Sequence, residues 1–188
     1  MTVPRETLSL IRGHRLQLRL ISRDDAAYVH GLRTNPAYNP HLSPVTGTVD
    51  DQRRWIDGYR QREDAGLEYY YVIELLDGLR CGTVRLYDIG AQSFTWGSWI
   101  LDHNKPPMAA LESAVLVYSA AFDGLTLENS LFDVRKDNAR TLAFHRRFGA
   151  VETGQDADNI YFELTRDSFD RSRAGYVAAI AAGGPLSQ

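Results

Sequence analysis

Hydrophobic and polar residues alternate over residues 15–21, where Leu16, Leu18 and Leu20 oppose Arg15, Gln17 and Arg19, the period of a strand with one wet face. The period then changes. Residues 22–34 read as a helix, with Ser22 able to cap it, Asp24 and Asp25 in its first turn, and Asn35-Pro36 closing it because a residue before proline avoids the helical region. Residues 36–48 are rich in Pro, Asn, Ser and Gly and read as a long loop, a kind of segment that often carries function. Trp55, Ile56 and Tyr59 interrupt a charged run on one helical face, which predicts an amphipathic helix over 50–65 stopped by Gly66.

From there the chain turns to strand. Residues 69–76 are aromatic and β-branched, Asp77-Gly78 supplies a turn, and 81–90 resume the strand composition, so the pair is a predicted hairpin. A further strand covers 94–101, followed by polar residues and a helix over 107–124. A strand at 131–135, a helix at 138–148, strands at 150–153 and 159–164 and a helix at 167–182 complete the order. This alternation predicts an α+β (mixed α/β) fold in which helices pack on both faces of a mixed sheet.

No repeat, low-complexity tract or polar linker divides the chain, so one domain is expected over 1–188, with a core at 15–165 and a helical tail at 167–188. The net charge of -3 gives no global attraction to nucleic acid or anionic membrane. No leader-like or membrane-spanning apolar run is visible, and Cys81 is the single cysteine, which excludes an intrachain disulfide and fits a reducing, cytoplasmic setting. His14, His30, His41, His103 and His145 show no paired helical spacing, so no metal site is expected, and no Gly-x-Ser-x-Gly elbow supports a serine hydrolase.

Two segments carry candidate chemistry. The first is the strand-to-helix passage at 101–111, where a helix start near Pro107 leaves the amides of Met108, Ala109 and Ala110 free for an anion, with Lys105 adding a cation. The alternative is an ordinary capped helix start. The second is FDVRKDNARTLAFHRRFGAVETG, residues 132–154, a strand leading into a short helix that stops at Gly149. Trp96 and Trp99 lie three residues apart, so they take opposite strand faces unless a bulge intervenes.

The Asp-x-Arg-Lys-Asp-Asn run followed by a helix ending Arg-Phe-Gly-Ala resembles the coenzyme-binding segment of GNAT acetyltransferases. The resemblance implies the GNAT fold, a mostly antiparallel twisted sheet of about seven strands, and acetyl-CoA as co-substrate with no metal. It makes Asn138 the residue that starts the helix beneath the coenzyme, Thr141 the small or hydroxylic position and Gly149 the closing glycine. His145 falls where many members have the tyrosine that protonates the leaving thiolate. That role requires the imidazole pKa to be raised from about 6.5. The bland reading leaves His145, Arg146 and Arg147 on the surface while Phe144 and Phe148 enter the core.

On the family's pyrophosphate loop, Lys105 takes the basic position, Met108 the first glycine and Ala110 the final small residue. Trp99, Ile100, Leu101, His103, Ala109 and Leu111 complete the implied coenzyme site, the strand amides being free if the strand splays there. Asp88 is the candidate base; Glu74, its neighbour in the hairpin, is read with it as a solvated strand-edge carboxylate.

The opening RLQLRLISRDDAAYVHGLRTNP resembles the RimJ/RimL-type branch, whose relatives include amino-sugar acetyltransferases. It implies a primary amine acceptor, held by Arg33, Asn35, Tyr38, His41 and Trp96, and leaves a homodimer open. A protein N-terminus is the alternative acceptor, and would favour an acidic groove; a nucleotide-linked sugar would favour Arg33, Arg85 or His41 by the cleft. A non-catalytic acyl-coenzyme A sensor is the reading from another class, motivated by the altered Lys-Pro-Pro-Met-Ala-Ala loop.

Overall fold

The computed structural model describes residues 8–183; the first seven residues and the expected ragged end beyond Gly183 lie outside that range. Among the described residues, eight strands form one sheet in the order β1-β2-β3-β4-β5-β6-β8-β7. They are β1 (Leu10–Arg12), β2 (Leu16–Leu20), β3 (Tyr69–Leu75), β4 (Arg80–Tyr87), β5 (Ser93–Leu101), β6 (Asn129–Arg135), β7 (Val151–Gln155) and β8 (Asn159–Thr165). All neighbours are antiparallel except β5 and β6. The eighth strand, one more than expected, is β1. Three residues are too short to display a period, and β1 exists through its pairing with β2.

Among the described residues, α-helices α1 (Ala26–Thr34), α2 (Val49–Asp64), α3 (Ala109–Ser119), α4 (Ala139–Arg147) and α5 (Arg166–Ala182) accompany the sheet. Two apolar clusters explain why β3 is a continuous hydrophobic run rather than an alternating one. Tyr69, Tyr71 and Ile73 pack with residues of α3 and α5, whereas Tyr70 and Val72 pack with Ile56 and Tyr59 of α2 and with Val29 of α1. A strand covered on both faces has no position left for water. Helix α3 is buried on every side from Leu111 to Tyr118, as its lack of a polar stripe requires.

Local signals set the helix ends. Ser22 and Asp25 form a capping box before α1, and Thr48 with Asp51 does the same for α2. Asn138 caps α4 by accepting a hydrogen bond from the Thr141 amide at 3.2 Å, and Gly149 follows the helix with φ 89°.

Glu74 corrects an expectation. It is buried rather than solvated, because the Arg19 guanidinium on β2 reaches it at 2.7 Å and also binds Asp25 at 2.9 Å. A carboxylate so engaged is a structural tie between β2, β3 and the start of α1.

Candidate active site

The site begins where the sheet comes apart. Strands β5 and β6 pair only through Ser93 with Asn129 and Phe94 with Ser130. Beyond that point they diverge, and residues 96–101 face residues 132–135 across a cleft of about 470 Å³. Backbone groups of β5 that a parallel neighbour would have satisfied are therefore available to a ligand.

A bulge shapes the wall on the β5 side. Thr83 pairs with Ile100, but Arg85 pairs with Gly97, so Ser98 and Trp99 oppose the single residue Val84. Ser98 adopts a left-handed φ of 47°, and its carbonyl accepts a hydrogen bond from the Thr83 hydroxyl at 3.2 Å. The extra residue rotates Trp99 onto the face of Trp96, their ring centroids 5.2 Å apart. The indole N–H of Trp96 donates to the Tyr118 hydroxyl at 2.9 Å, and that of Trp99 to the Ser113 hydroxyl at 3.1 Å. Both tryptophans line the cleft, one fixed in the core and the other at its margin.

A second crevice, about 400 Å³, continues past Trp99 and Leu101 to the starts of two helices. Lys105, Met108, Ala109 and Ala110 form one side, and Arg140, Thr141 and Phe144 of α4 the other. Helix α3 starts two residues later than expected, at Ala109, because Met108 is its N-cap in a left-handed conformation with φ 66°. The free amides change accordingly. Ala109 donates to the Pro106 carbonyl at 3.2 Å and Glu112 to that of Met108 at 2.9 Å, whereas among the described residues the amides of Met108, Ala110 and Leu111 have no acceptor. Three free amides at a helix start, with Lys105 and Arg140 beside them, make an anion site.

Residues 15–151 match the acetyltransferase (GNAT) domain family. The chain belongs to the GNAT acetyltransferase family. As an enzyme it is an N-acetyltransferase. Among solved structures it resembles apo FdhC, described as a nucleotide-linked sugar GNAT, at 37% identity and TM-score 0.81, with 95% of this chain and 98% of that one covered. The ribosomal-protein-S5-alanine acetyltransferase from Vibrio fischeri shares the fold at 15% identity and TM-score 0.73, over 84% of this chain and 97% of that one. So does a spermidine N-acetyltransferase from Vibrio cholerae, solved with CoA and spermine, at 19% identity and TM-score 0.72, over 82% and 98%. No curated protein sequence matches the chain.

Within this GNAT fold most of the expected residues converge. Arg33, Tyr38, His41, Trp96, Trp99, Ile100, Leu101, Asn138, Thr141 and His145 line the splayed cleft, and Lys105 through Ala110 the crevice. The 36–48 loop reaches across the opening, where His41 Nδ1 lies 3.4 Å from the Asp137 carboxylate just ahead of α4. Leu111 contributes an amide, its side chain being in the core.

Others fall elsewhere. Asp88 is exposed in the turn after β4, at φ 49°, and lines none of the clefts described here. Its strand ends at Tyr87, three residues earlier than the composition implies, and Asp88 follows it with a reversed φ. His103 is exposed in the 102–105 turn, which Asp102 holds by accepting the Asn104 amide at 2.7 Å. Asn35 serves its own turn by accepting the Ala37 amide at 2.9 Å, and does not line the cleft.

Arg146 and Arg147 are exposed and Phe148 is buried, as the bland reading of FHRRF has them, but His145 departs from it. It is buried, not at the surface, and its ring sits 4.4 Å from that of Phe132 and 5.4 Å from those of Trp96 and Phe144. Loss of water around the ring pushes its pKa down to about 3. That direction is opposite to the raised pKa that the acid role at this family position calls for.

The sequence reading missed Asp133, Arg135, Tyr87, Arg140 and Phe144. Asp133 is the carboxylate in the lining of the splayed cleft, facing β5 from β6. Burial, and then the Asp133 charge, raise the pKa of the Tyr87 phenol. The available signal was the alternation of Leu131, Asp133 and Arg135 with buried Phe132 and Val134, which marks an outward face without saying that this face borders a splay.

Proposed function

We propose that the chain transfers an acetyl group from acetyl-coenzyme A to the primary amine of a small molecule, and that this molecule is a nucleotide-linked amino sugar. The observation that carries the reading is the continuity of the helix-start crevice with the splayed cleft at Trp99, Leu101 and Thr141. A long donor with a diphosphate near one end and a thioester at the other fits that path, the amides of Met108, Ala110 and Leu111 binding the diphosphate. The likeness to FdhC supports the sugar-nucleotide acceptor.

In this reading the carbonyl lies against unpaired β5 amides between Ser98 and Leu101, which stabilise the oxyanion. The neutral amine attacks the carbonyl carbon, the N–C bond forms and the C–S bond breaks. Asp133 takes the proton that the nitrogen must lose, a task suited to a carboxylate at the mouth of the cleft. His145, its pKa pushed down, donates at most a hydrogen bond to the departing sulfur, and the thiolate takes its proton from solvent.

The sensor reading loses its motive. Met108 adopts a left-handed conformation of the kind glycine takes readily, so the altered loop still presents amides. Thioester loss, measured with the purified protein over a panel of amines, tests the proposal. Turnover of a nucleotide-linked amino sugar is the expected result; preference for spermidine or a peptide N-terminus would overturn the acceptor assignment.

A further inference from the structure

A third cleft, about 570 Å³, lies beyond the bulge on the face of the sheet covered by α2. It meets the splayed cleft at Arg33, Ser43, Tyr87 and Ser98, which line both. An acceptor whose amine sits at the bulge has this volume for the rest of its body, and the volume is within the range of small-molecule sites, roughly 300–1,000 Å³.

Its lining states what that body is. Arg33 and Arg85 are the two guanidiniums in the wall, and the Nε of each is buried without a hydrogen-bond acceptor among the described residues. The hydroxyl of Tyr70, in the same wall, is likewise unpaired. Donors shielded from water and left unpaired are costly, and three in one wall indicate a missing acceptor. The carboxylates nearby do not cancel the charge. Asp51 is held by Arg54 and the Thr48 amide, and Glu68 is one carboxylate shared between Arg62 and Arg85.

An aromatic surface adjoins the cations. Trp55 is 37% exposed on the cleft, and the Arg85 guanidinium lies 5.6 Å from its ring and 5.0 Å from that of Tyr87. Cations backed by aromatic rings suit an oxyanion joined to a planar group, and they repel a polyamine or a basic peptide.

We propose that this cleft is the nucleotide subsite of the acceptor: Arg33 and Arg85 bind the diphosphate, the Trp55 side of the cleft receives the nucleoside, and the sugar amine reaches the bulge at Ser98. The proposal rests on the acceptor reading above and assigns the residues that make it selective.

The test titrates the full chain, saturated with coenzyme A so that the helix-start crevice is filled, with uridine diphosphate, uridine and spermidine, by calorimetry and tryptophan fluorescence. Uridine diphosphate is expected to bind below about 1 mM. Arg85→Ala should weaken it at least about tenfold, the loss of one charge-assisted hydrogen bond, with coenzyme affinity unchanged. Arg85→Lys and Trp55→Leu, which spare more of the local packing, decide the matter if Arg85→Ala fails to bind coenzyme; each should weaken the diphosphate. Failure of the diphosphate to bind, equal binding by all variants, or displacement by spermidine overturns the subsite.

The acceptor reading is separated by turnover. Acetylation of an amino-sugar nucleotide with an unchanged KM in Arg85→Ala leaves that reading standing and removes the subsite. Arginine-dependent nucleotide binding without turnover of any such amine does the reverse.

Discussion

The two ends of the proposed active site are built from different materials. The helix-start crevice is made largely of backbone: amides of Met108, Ala110 and Leu111 at the start of α3, opposite the capped start of α4. The acceptor side is made of side chains from distant segments, with Arg33 from α1, Trp55 from α2, Arg85 from β4 and Asp133 from β6 meeting through the sheet. A backbone site needs only a helix to begin in the right place, so it places little demand on the side chains of Pro106, Pro107 and Met108. A side-chain site depends on the identity of each residue, and it is where one member of a family can differ from another in what it acetylates.

That contrast can be broken first at Asp133. Asp133→Asn should lower kcat by about 100-fold or more, the ordinary scale of general-base catalysis, with coenzyme affinity unchanged, and Asp133→Glu should restore part of it. Steady-state kinetics with a separate coenzyme titration checks both halves. Turnover within twofold of the parent would remove Asp133 from the reaction.

His145 sharpens the comparison because it belongs to neither end by charge. Its folded-state value of about 3 lies below the unfolded value near 6.5, so the unfolded chain takes up the proton first as pH falls. Stability should be full above about pH 6.5 and fall progressively towards pH 3. Asp25, whose pKa is also lowered, adds a loss of the same sign at the acidic end. The histidine's share is therefore read as a difference: urea unfolding of His145→Phe should depend less on pH between about 4 and 6.5 than the parent does. The same variant should lose no more than about tenfold in turnover, the scale of one neutral hydrogen bond. An unchanged pH dependence of stability would mean that the ring is hydrated.

Smaller effects belong to the backbone-built end. Lys105→Ala and Arg140→Ala should each weaken coenzyme binding by a few-fold, about 0.5–1 kcal/mol, because both side chains are exposed, and added salt should shrink the difference. Met108→Gly should change least. Relief of the left-handed φ and the added freedom of glycine are each about 1 kcal/mol and opposed in sign, so affinity should stay the same or improve slightly. Calorimetric titration follows all three, and a large loss in Met108→Gly would place the methionine side chain in the binding surface.

The same contrast governs how much was legible in the sequence. Helix α4 could be read closely, since Asn138 and Gly149 are local signals for its start and stop. The tryptophan spacing raised the question of a bulge, and Ser98 supplies it. Helix α3 was misplaced by two residues because nothing in Pro106-Pro107-Met108 announces that the methionine takes a positive φ. Glu74 was misread because its partner Arg19 is on another strand, and Asp88 because its strand ends at Tyr87. Asp133 and Arg85 gain their meaning only from the splay of β5 from β6 and from the α2 face, which are tertiary facts. His145 shows the limit most clearly: the motif gave its place in the family pattern, while the aromatic rings that bury it and push its pKa down come from β5, β6 and α4 together.

The most direct test of the central claim is a crystal structure of the chain with acetyl-coenzyme A. The diphosphate is expected within hydrogen-bond distance of the Met108, Ala110 and Leu111 amides, with the thioester carbonyl against β5 between Ser98 and Leu101. A donor bound away from the α3 start, or with its thioester outside the gap between β5 and β6, would contradict the account.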